Sequence, residues 1–377
     1  MESVYLDHAA TTPLHPDVFT AMLPYYKEVF GNPSSLHRYG QLAKIALDQS
    51  REKVAKCLGA TPGEIIFTGG GTESDNLALV GVMEAFGQGH LITSQIEHHA
   101  ILHTCDYLAG RGFEITYLPV GKNGKVDPED LRQAIRPDTR LISIMFGNNE
   151  TGIKQPIYEL GNIAREHGVY FHTDGVQAVG LESFQLNELP IDLMSLSAHK
   201  INGPKGVGAL YIAKGVKIAS HIHGGSQEKK KRAGTENVPG IVGLAKALEI
   251  VTANKESLWG KYLCFKSIMV ETWKKDGLNF TVNNIEEDCL PHILNVSFPN
   301  VKRETLLMNL DLQGIAASGG SACTAGSLQP SHVLQAMGLE EDCVDSAIRF
   351  SFGIGNTDEE IQQAAEKIAR IVQRLNK

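Results

Sequence analysis

The chain reads as an α/β protein: a mostly parallel sheet with helices on both faces, joined to a smaller α+β domain. Three observations predict this. Between Glu64 and Tyr211, short apolar runs alternate with stretches of helical periodicity, the pattern of strands linked by crossover helices. After about Glu236 the alternation gives way to a long helical stretch, scattered short strands and an amphipathic final helix. At 377 residues the chain is too long for one small core, which suggests two domains. The expected division is 14–250 for the large domain, and 1–13 with 251–377 for the smaller one.

Taken in order, Leu6–Thr12 leads through Pro13 into a helix over Asp17–Phe30, which Gly31-Asn32-Pro33 breaks. Ser34 or Ser35 can cap the next helix, which runs towards Leu58 with Leu42, Ile45, Ala46 and Val54 at helical spacing. Strands are expected at Ile65–Phe67, Leu91–Thr93, Ile115–Leu118, Leu141–Met145, Val169–Phe171, Leu193–Leu196 and Ala209–Ile212. Helices over Thr72–Phe86, Ala100–Ala109, Pro128–Ile135 and Ile157–His167 lie between them. One long helix is expected from Val238 to about Lys274, then strands at Phe280–Val282, His292–Phe298, Ile315–Ala317 and Ile348–Phe352. The last helix, Asp358 to about Leu375, sets Ile361, Ala364, Ile368, Ile371 and Leu375 on one face.

Composition narrows the function classes. A net charge of −8 argues against nucleic-acid binding by bulk electrostatics. No apolar run approaches transmembrane length, and the N-terminus lacks a secretory pattern, so a cytoplasmic protein is expected. The six cysteines are scattered, with no CxxC pair, which argues against a disulfide framework and against any metal site. Cys57 and Cys105 fall in helical patterns and read as packing residues.

The residues that could carry chemistry collect at predicted strand ends. Lys200 follows a strand, in the Gly/Pro-rich run Ser197–Gly206; a lysine held there can form a Schiff base with a carbonyl cofactor, although a solvated loop lysine has the same signature. Gly69-Gly70-Gly71-Thr72 follows a strand and opens a helix, where free N–H groups and the helix dipole suit a phosphate; an ordinary capped turn is the alternative. His98 could stack on a flat ring or simply cap a helix. Asn149 could donate to an oxyanion or sit in a turn. Asp174 could keep a pyridine nitrogen protonated or cap the following helix. Each signal alone is weak. Together, in successive strand-end loops, they suit a flat, phosphorylated pyridine aldehyde, pyridoxal 5'-phosphate.

Motifs along nearly the whole chain resemble cysteine desulfurases of the aminotransferase class V group, specifically the first of their two sequence groups. They include Tyr5-Leu6-Asp7-His8-Ala9-Ala10-Thr11-Thr12-Pro13, Gly71-Thr72-Glu73-Ser74-Asp75-Asn76, Asp174-Gly175-Val176-Gln177 and Ser197-Ala198-His199-Lys200. Arg232-Ala233-Gly234-Thr235 and Ser318-Gly319-Gly320-Ser321-Ala322-Cys323-Thr324 complete the set. The resemblance implies that Lys200 holds pyridoxal 5'-phosphate and moves protons, that Asp174 pairs with the ring nitrogen, and that His98 stacks on the ring as a third catalytic residue beside Lys200 and Cys323. It implies phosphate contacts from Gly71, Thr72, Ser197 and His199, with Thr235 completing them across a homodimer interface. Gln177 would bond the phenolic oxygen. Asn149, Asn32 and Arg349 would bind the substrate, L-cysteine, with Arg349 on its carboxylate.

Cys323 would be the nucleophile that takes the sulfur and passes it to an acceptor, a scaffold or a tRNA-thiolation enzyme. The residues agree: Ser318–Ser327 holds only small side chains, a run expected to be mobile, and an exposed thiolate near positive charge attacks well. The stretch Gln227–Arg232 is more basic than the family's usual form and reads as a partner-facing patch or a solvated charge run. The chain ends with its last helix, which leaves docking through a longer tail open.

Overall fold

The computed structural model describes residues 3–284, 288–320 and 330–376. Its strands are β1 (Val4–Tyr5), β2 (Ile65–Thr68), β3 (His90–Ser94), β4 (Glu114–Leu118), β5 (Thr139–Ser143), β6 (Tyr170–Asp174), β7 (Leu193–Ser197), β8 (Gly208–Ile212), β9 (Thr281–Val282), β10 (Ile293–Ser297), β11 (Ile315–Ala316) and β12 (Ala347–Ser351). Its helices are α1 (Pro16–Met22), α2 (Pro24–Lys27), α3 (Arg38–Leu58), α4 (Gly71–Phe86), α5 (His99–Ala109), α6 (Pro128–Ala134), α7 (Ile157–Glu166), α8 (Val238–Ala253), α9 (Lys255–Lys275), α10 (Arg303–Leu312), α11 (His332–Ala336), α12 (Glu341–Asp345) and α13 (Asp358–Leu375).

Seven strands form one sheet in the order β2-β8-β7-β6-β5-β3-β4. Only β8 runs against its neighbours; the other pairings are parallel. The inner strands are almost wholly buried because helices cover both faces of the sheet. Leu47, Val54, Phe67, Phe171, Leu196 and Leu244 share the core on one face. Ile66, Leu79, Val80, Ile101, Leu141 and Leu210 fill the other, against α4 and α5. A separate antiparallel sheet, β12-β10-β9, packs with α9 and α13 around Trp273, Phe298, Phe350 and Ile368. β1 pairs in parallel with β11, which places Val4 and Leu6 in that second core.

Several elements differ from expectation. The long helix is two helices, α8 and α9, parted at Asn254. The Asn254 side chain donates to the Ile250 carbonyl at 2.8 Å, a local bond that competes with helix continuation. The halves then bury different faces: α8 supplies Leu244 and Leu248 to the first core, and α9 supplies Phe265, Met269 and Trp273 to the second. The helix expected over Asp17–Phe30 stops at Lys27 and is interrupted at Leu23, before Pro24, where the ring cannot continue the ladder. α3 is capped by His37, whose Nδ1 accepts from the Gly40 N–H, not by Ser34 or Ser35. α10, α11 and α12 carry no strong periodic signal and were not expected. β5 ends at Ser143, and β6 runs on to include Asp174.

Candidate active site

The carboxyl ends of β2, β3, β5, β6 and β7 open on one cleft, the position where ligands bind in open α/β sheets. It encloses about 750 Å³ including the solvent at its mouth, and Gly71, Thr72, His98, Asn149, Asp174, Gln177, Ser197, His199, Lys200 and Arg349 all line it.

One end is built for an anion. β2 runs through Thr68-Gly69-Gly70 into α4, and no side chain caps the helix, so its first-turn N–H groups are left for a ligand. Gly70 has φ of 154°, a conformation that favours glycine. A Cβ on Gly71 would come within 2.9 Å of Val176 Cγ2. Thr72, Ser197 and His199 border the same space. Burial, and then the Lys200 charge, lower His199 to about 4; its Nδ1 lies 3.1 Å from the Thr11 hydroxyl.

At the other end stand the lysine and the acids. Lys200 closes a short 3-10 turn directly after β7. Its ammonium donates to the carbonyls of Ala9 and Ala10, at 2.5 and 2.8 Å. Asp174 is buried and accepts from the Val176 N–H at 2.9 Å. Burial raises its pKa to about 6, against the pull of that hydrogen bond and of Lys200. His98 caps α5 by accepting from the Ala100 N–H through Nδ1, so its other nitrogen carries the proton. Burial, then Lys200, lower it to about 4, and it faces the cleft as a neutral ring. Gln177 donates to the Ala9 carbonyl at 3.0 Å, and its amide oxygen lies 3.1 Å from His292 Nε2.

Arg349, on β12, reaches the cleft from the second sheet. It is 1% exposed and donates to the Asn149 carbonyl and to Asp7, both at 2.8 Å. Its Nε is buried without a partner, so a donor remains for a carboxylate.

Two expected residues are not brought to this cleft. Asn32 is exposed, and its side chain accepts from the Ser34 N–H. Thr235 lines a separate small cavity with Gly69, Glu228 and Arg232. Cys323 lies outside the described residues. The described flanks of its segment converge on Glu150: Ser331 donates to that carboxylate at 2.6 Å, and a Cβ on Gly320 would meet it at 3.0 Å. The basic stretch expected at the surface is partly docked. Glu228 is buried and accepts twice from Arg51, at 2.7 and 2.6 Å, while Lys229 donates to the Pro62 and Gly63 carbonyls.

The aminotransferase class-V family pattern matches residues 4–364. The chain belongs to the aminotransferase class-V family. A protein of Bacillus subtilis (strain 168) described as putative cysteine desulfurase IscS 1 is 51% identical over 379 residues, with 100% of each chain covered. A solved NifS-like protein superposes with a TM-score of 0.93 at 40% identity, covering 99% of this chain and 100% of that one. Another, titled SspA in complex with cysteine, gives a TM-score of 0.82 at 38% identity over 92% of this chain and 98% of its own.

In this class-V chain the sequence reading missed a buried polar group beneath the cleft: Asp75 on α4, His172 on β6 and Ser195 on β7. The available signal was a polar residue inside an otherwise apolar helix or strand. Among the described residues, no group of His, Cys, Asp and Glu could hold a metal ion, and no helix is long and apolar enough to cross a membrane.

Proposed function

We propose that this class-V protein is a cysteine desulfurase, which uses pyridoxal 5'-phosphate to convert L-cysteine to L-alanine and leaves the sulfur as a persulfide on Cys323. The observation that carries this reading is the meeting of Lys200, Asp174, His98 and Arg349 with the uncapped N-terminus of α4 in one cleft. Full-length similarity to the Bacillus subtilis protein described as a putative cysteine desulfurase, and likeness to a structure titled as a complex with cysteine, support the substrate.

The residues fit the cofactor. The α4 N-terminus with Thr72, Ser197 and His199 would hold its phosphate, Asp174 its ring nitrogen, Gln177 its phenolic oxygen, and Lys200 its carbonyl carbon; His98 would lie against the ring. When bound, the group supplies a carbonyl for amines and an electron sink for charge at the substrate α-carbon. Arg349 and Asn149 orient the carboxylate of cysteine. Lys200 Nζ takes the α-proton and returns it. Cys323 attacks the substrate sulfur as thiolate; the S–S bond forms as the substrate's Cβ–S bond breaks, and the electron pair stays with the carbon skeleton, which is protonated to alanine. Burial raises the thiol pKa of Cys57, Cys105, Cys289 and Cys343, which makes these four poor substitutes.

The protein acts as a homodimer in the cytoplasm and passes sulfur to an acceptor protein, a scaffold or a tRNA-thiolation enzyme. Asn32 and Thr235 lie off their own cleft, and a second copy would supply them. The working division is 14–250 as the cofactor-binding unit, with 1–13 and 251–377 as the unit that delivers Cys323.

The test is mass spectrometry of protein incubated with pyridoxal 5'-phosphate and cysteine. Added sulfur is expected on the Cys323 peptide with stoichiometric alanine, and Cys323→Ser should keep the cofactor but lose both. Sulfur on another cysteine, or normal alanine release from Cys323→Ser, would sink this reading.

A further inference from the structure

Asp75 lies one turn beyond Gly71 on α4, and both line the cleft. It is 1% exposed, and its Oδ1 has no hydrogen-bond partner. The nearest group able to carry positive charge is His172, whose Nε2 stands 3.7 Å from that oxygen. But His172 is itself fully buried, and its ring nitrogens lie within hydrogen-bond reach of the Ser143 and Ser195 hydroxyls, at 2.8 and 3.0 Å. Burial lowers its pKa to about 3, so it is neutral and balances nothing. The ionisable groups acting on Asp75 are Asp174 on β6 and Glu97 ahead of α5, both acids; the Ser195 hydroxyl on β7 hydrogen-bonds the carboxyl and pulls the other way, but less than burial and Asp174. Lys200, which lines the cleft with Arg349, acts on Asp174.

We propose that Asp75 is a positioning residue held as a neutral carboxylic acid beside Asp174, leaving Asp174 as the one negative charge offered to the cofactor's ring nitrogen. Two buried carboxyls that act on each other, of which only Asp174 has Lys200 acting on it, do not both ionise. The proton settles on the acid without a cation. Burial and the Asp174 charge push Asp75 up well beyond the ordinary carboxylate range, which sets the same order. As an acid, Asp75 leaves no uncompensated charge on its buried, unpartnered oxygen. As an anion, it would add a second negative charge to the cleft, so that Asp174 would no longer be the one carboxylate offered to a pyridinium.

This inference rests on the pyridoxal 5'-phosphate reading, and the test separates the two. Infrared difference spectra of the apoprotein, in H2O and D2O at neutral pH, are compared for wild type, Asp75→Asn and Asp75→Leu. The wild type should show a protonated-carboxyl stretch that both variants lose, while the band of Glu97, which burial raises to about 8, stays in all three. Pyridoxal 5'-phosphate affinity is then measured on the same proteins. Asn, which mimics the neutral acid, should loosen binding by no more than about threefold, and Leu, which cannot hydrogen bond, by about tenfold or more. A wild-type spectrum with no band sensitive to residue 75 overturns the proposal. So does a loss beyond about tenfold in Asp75→Asn, because an anion would then be the required species. A wild type that binds no pyridoxal 5'-phosphate defeats the proposed function, while the infrared band still decides whether Asp75 is neutral.

Discussion

Lys200 and Asp174 show how one cleft sets opposite demands on two side chains. The Lys200 ammonium rests on the backbone carbonyls of Ala9 and Ala10, so it is placed by the N-terminal segment as much as by its own loop. Borohydride treatment of the cofactor-loaded wild type should fix the cofactor's mass on the Lys200 peptide. Lys200→Ala should lose that tag and at least about a thousandfold of turnover; a variant turning over at the wild-type rate would remove Lys200 from the chemistry. Asp174 is raised to about 6 by burial, so it is neutral below that pH and an anion above it. A bound pyridinium needs the anion. Cofactor affinity should therefore fall as pH drops through about 6, by up to about tenfold per pH unit. Asp174→Asn should bind weakly at neutral pH and lack this component; an unchanged pH profile in the variant would reassign the titration to another group.

At the scale of elements, the segment that follows β8 is held under strain. Glu228, Lys229 and Lys230 have φ of 43°, 57° and 64°, left-handed conformations that cost a non-glycine residue roughly 1–2 kcal/mol each. What holds them is the buried pair of Glu228 with Arg51, together with the Phe67 N–H, which donates to the same carboxylate at 2.9 Å. Downstream, Arg232 donates to Glu73 in the first turn of α4, so the strap ties the segment bearing Thr235 to the phosphate end of the cleft. Glu228→Ala would leave the Arg51 guanidinium buried without its anion. The expected loss is about 3–5 kcal/mol of unfolding free energy, read by urea denaturation of the apoprotein. A loss below about 1 kcal/mol, as for an exposed pair, would mean that the strap is held by something else.

For the whole molecule, the surface of α1 to α3 is unusual. Phe19, Tyr26, Phe30, Leu36, Tyr39, Leu42 and Ile45 are all exposed, Leu36 by 91%, and the Phe30 and Tyr39 rings stack at 5.4 Å. Large apolar residues concentrated on one surface segment mark an interaction site, which under the homodimer reading is the face of a second copy. Asn32 lies within this segment and Thr235 off its own cleft, so losing the dimer should also loosen the cofactor. The double variant Phe30→Asp with Leu36→Asp is expected to sediment as a monomer and to lose pyridoxal 5'-phosphate faster on dilution. A variant that stays dimeric with unchanged retention would move the interface elsewhere.

Local pattern sufficed for much of this protein. The strand–helix alternation, the glycines before α4, and the strand-end positions of Asp174 and Lys200 could be read directly, because period and turn chemistry are properties of neighbouring residues. The motifs also carried the family. Tertiary structure decided what depends on partners distant in sequence. Asn254 ends α8 where the chain passes from one core to the other. Arg349 joins the cleft from a different sheet, 149 positions after Lys200. The stretch 228–230, which reads as a solvated charge run, is pinned by Arg51 far upstream. Asp75 and His172 look like stray polar residues in apolar elements until α4 and β6 pack together. Burial and charge proximity act through space, so the acid that is ionised, the one that keeps its proton and the arginine that meets a carboxylate were settled only when the chain folded.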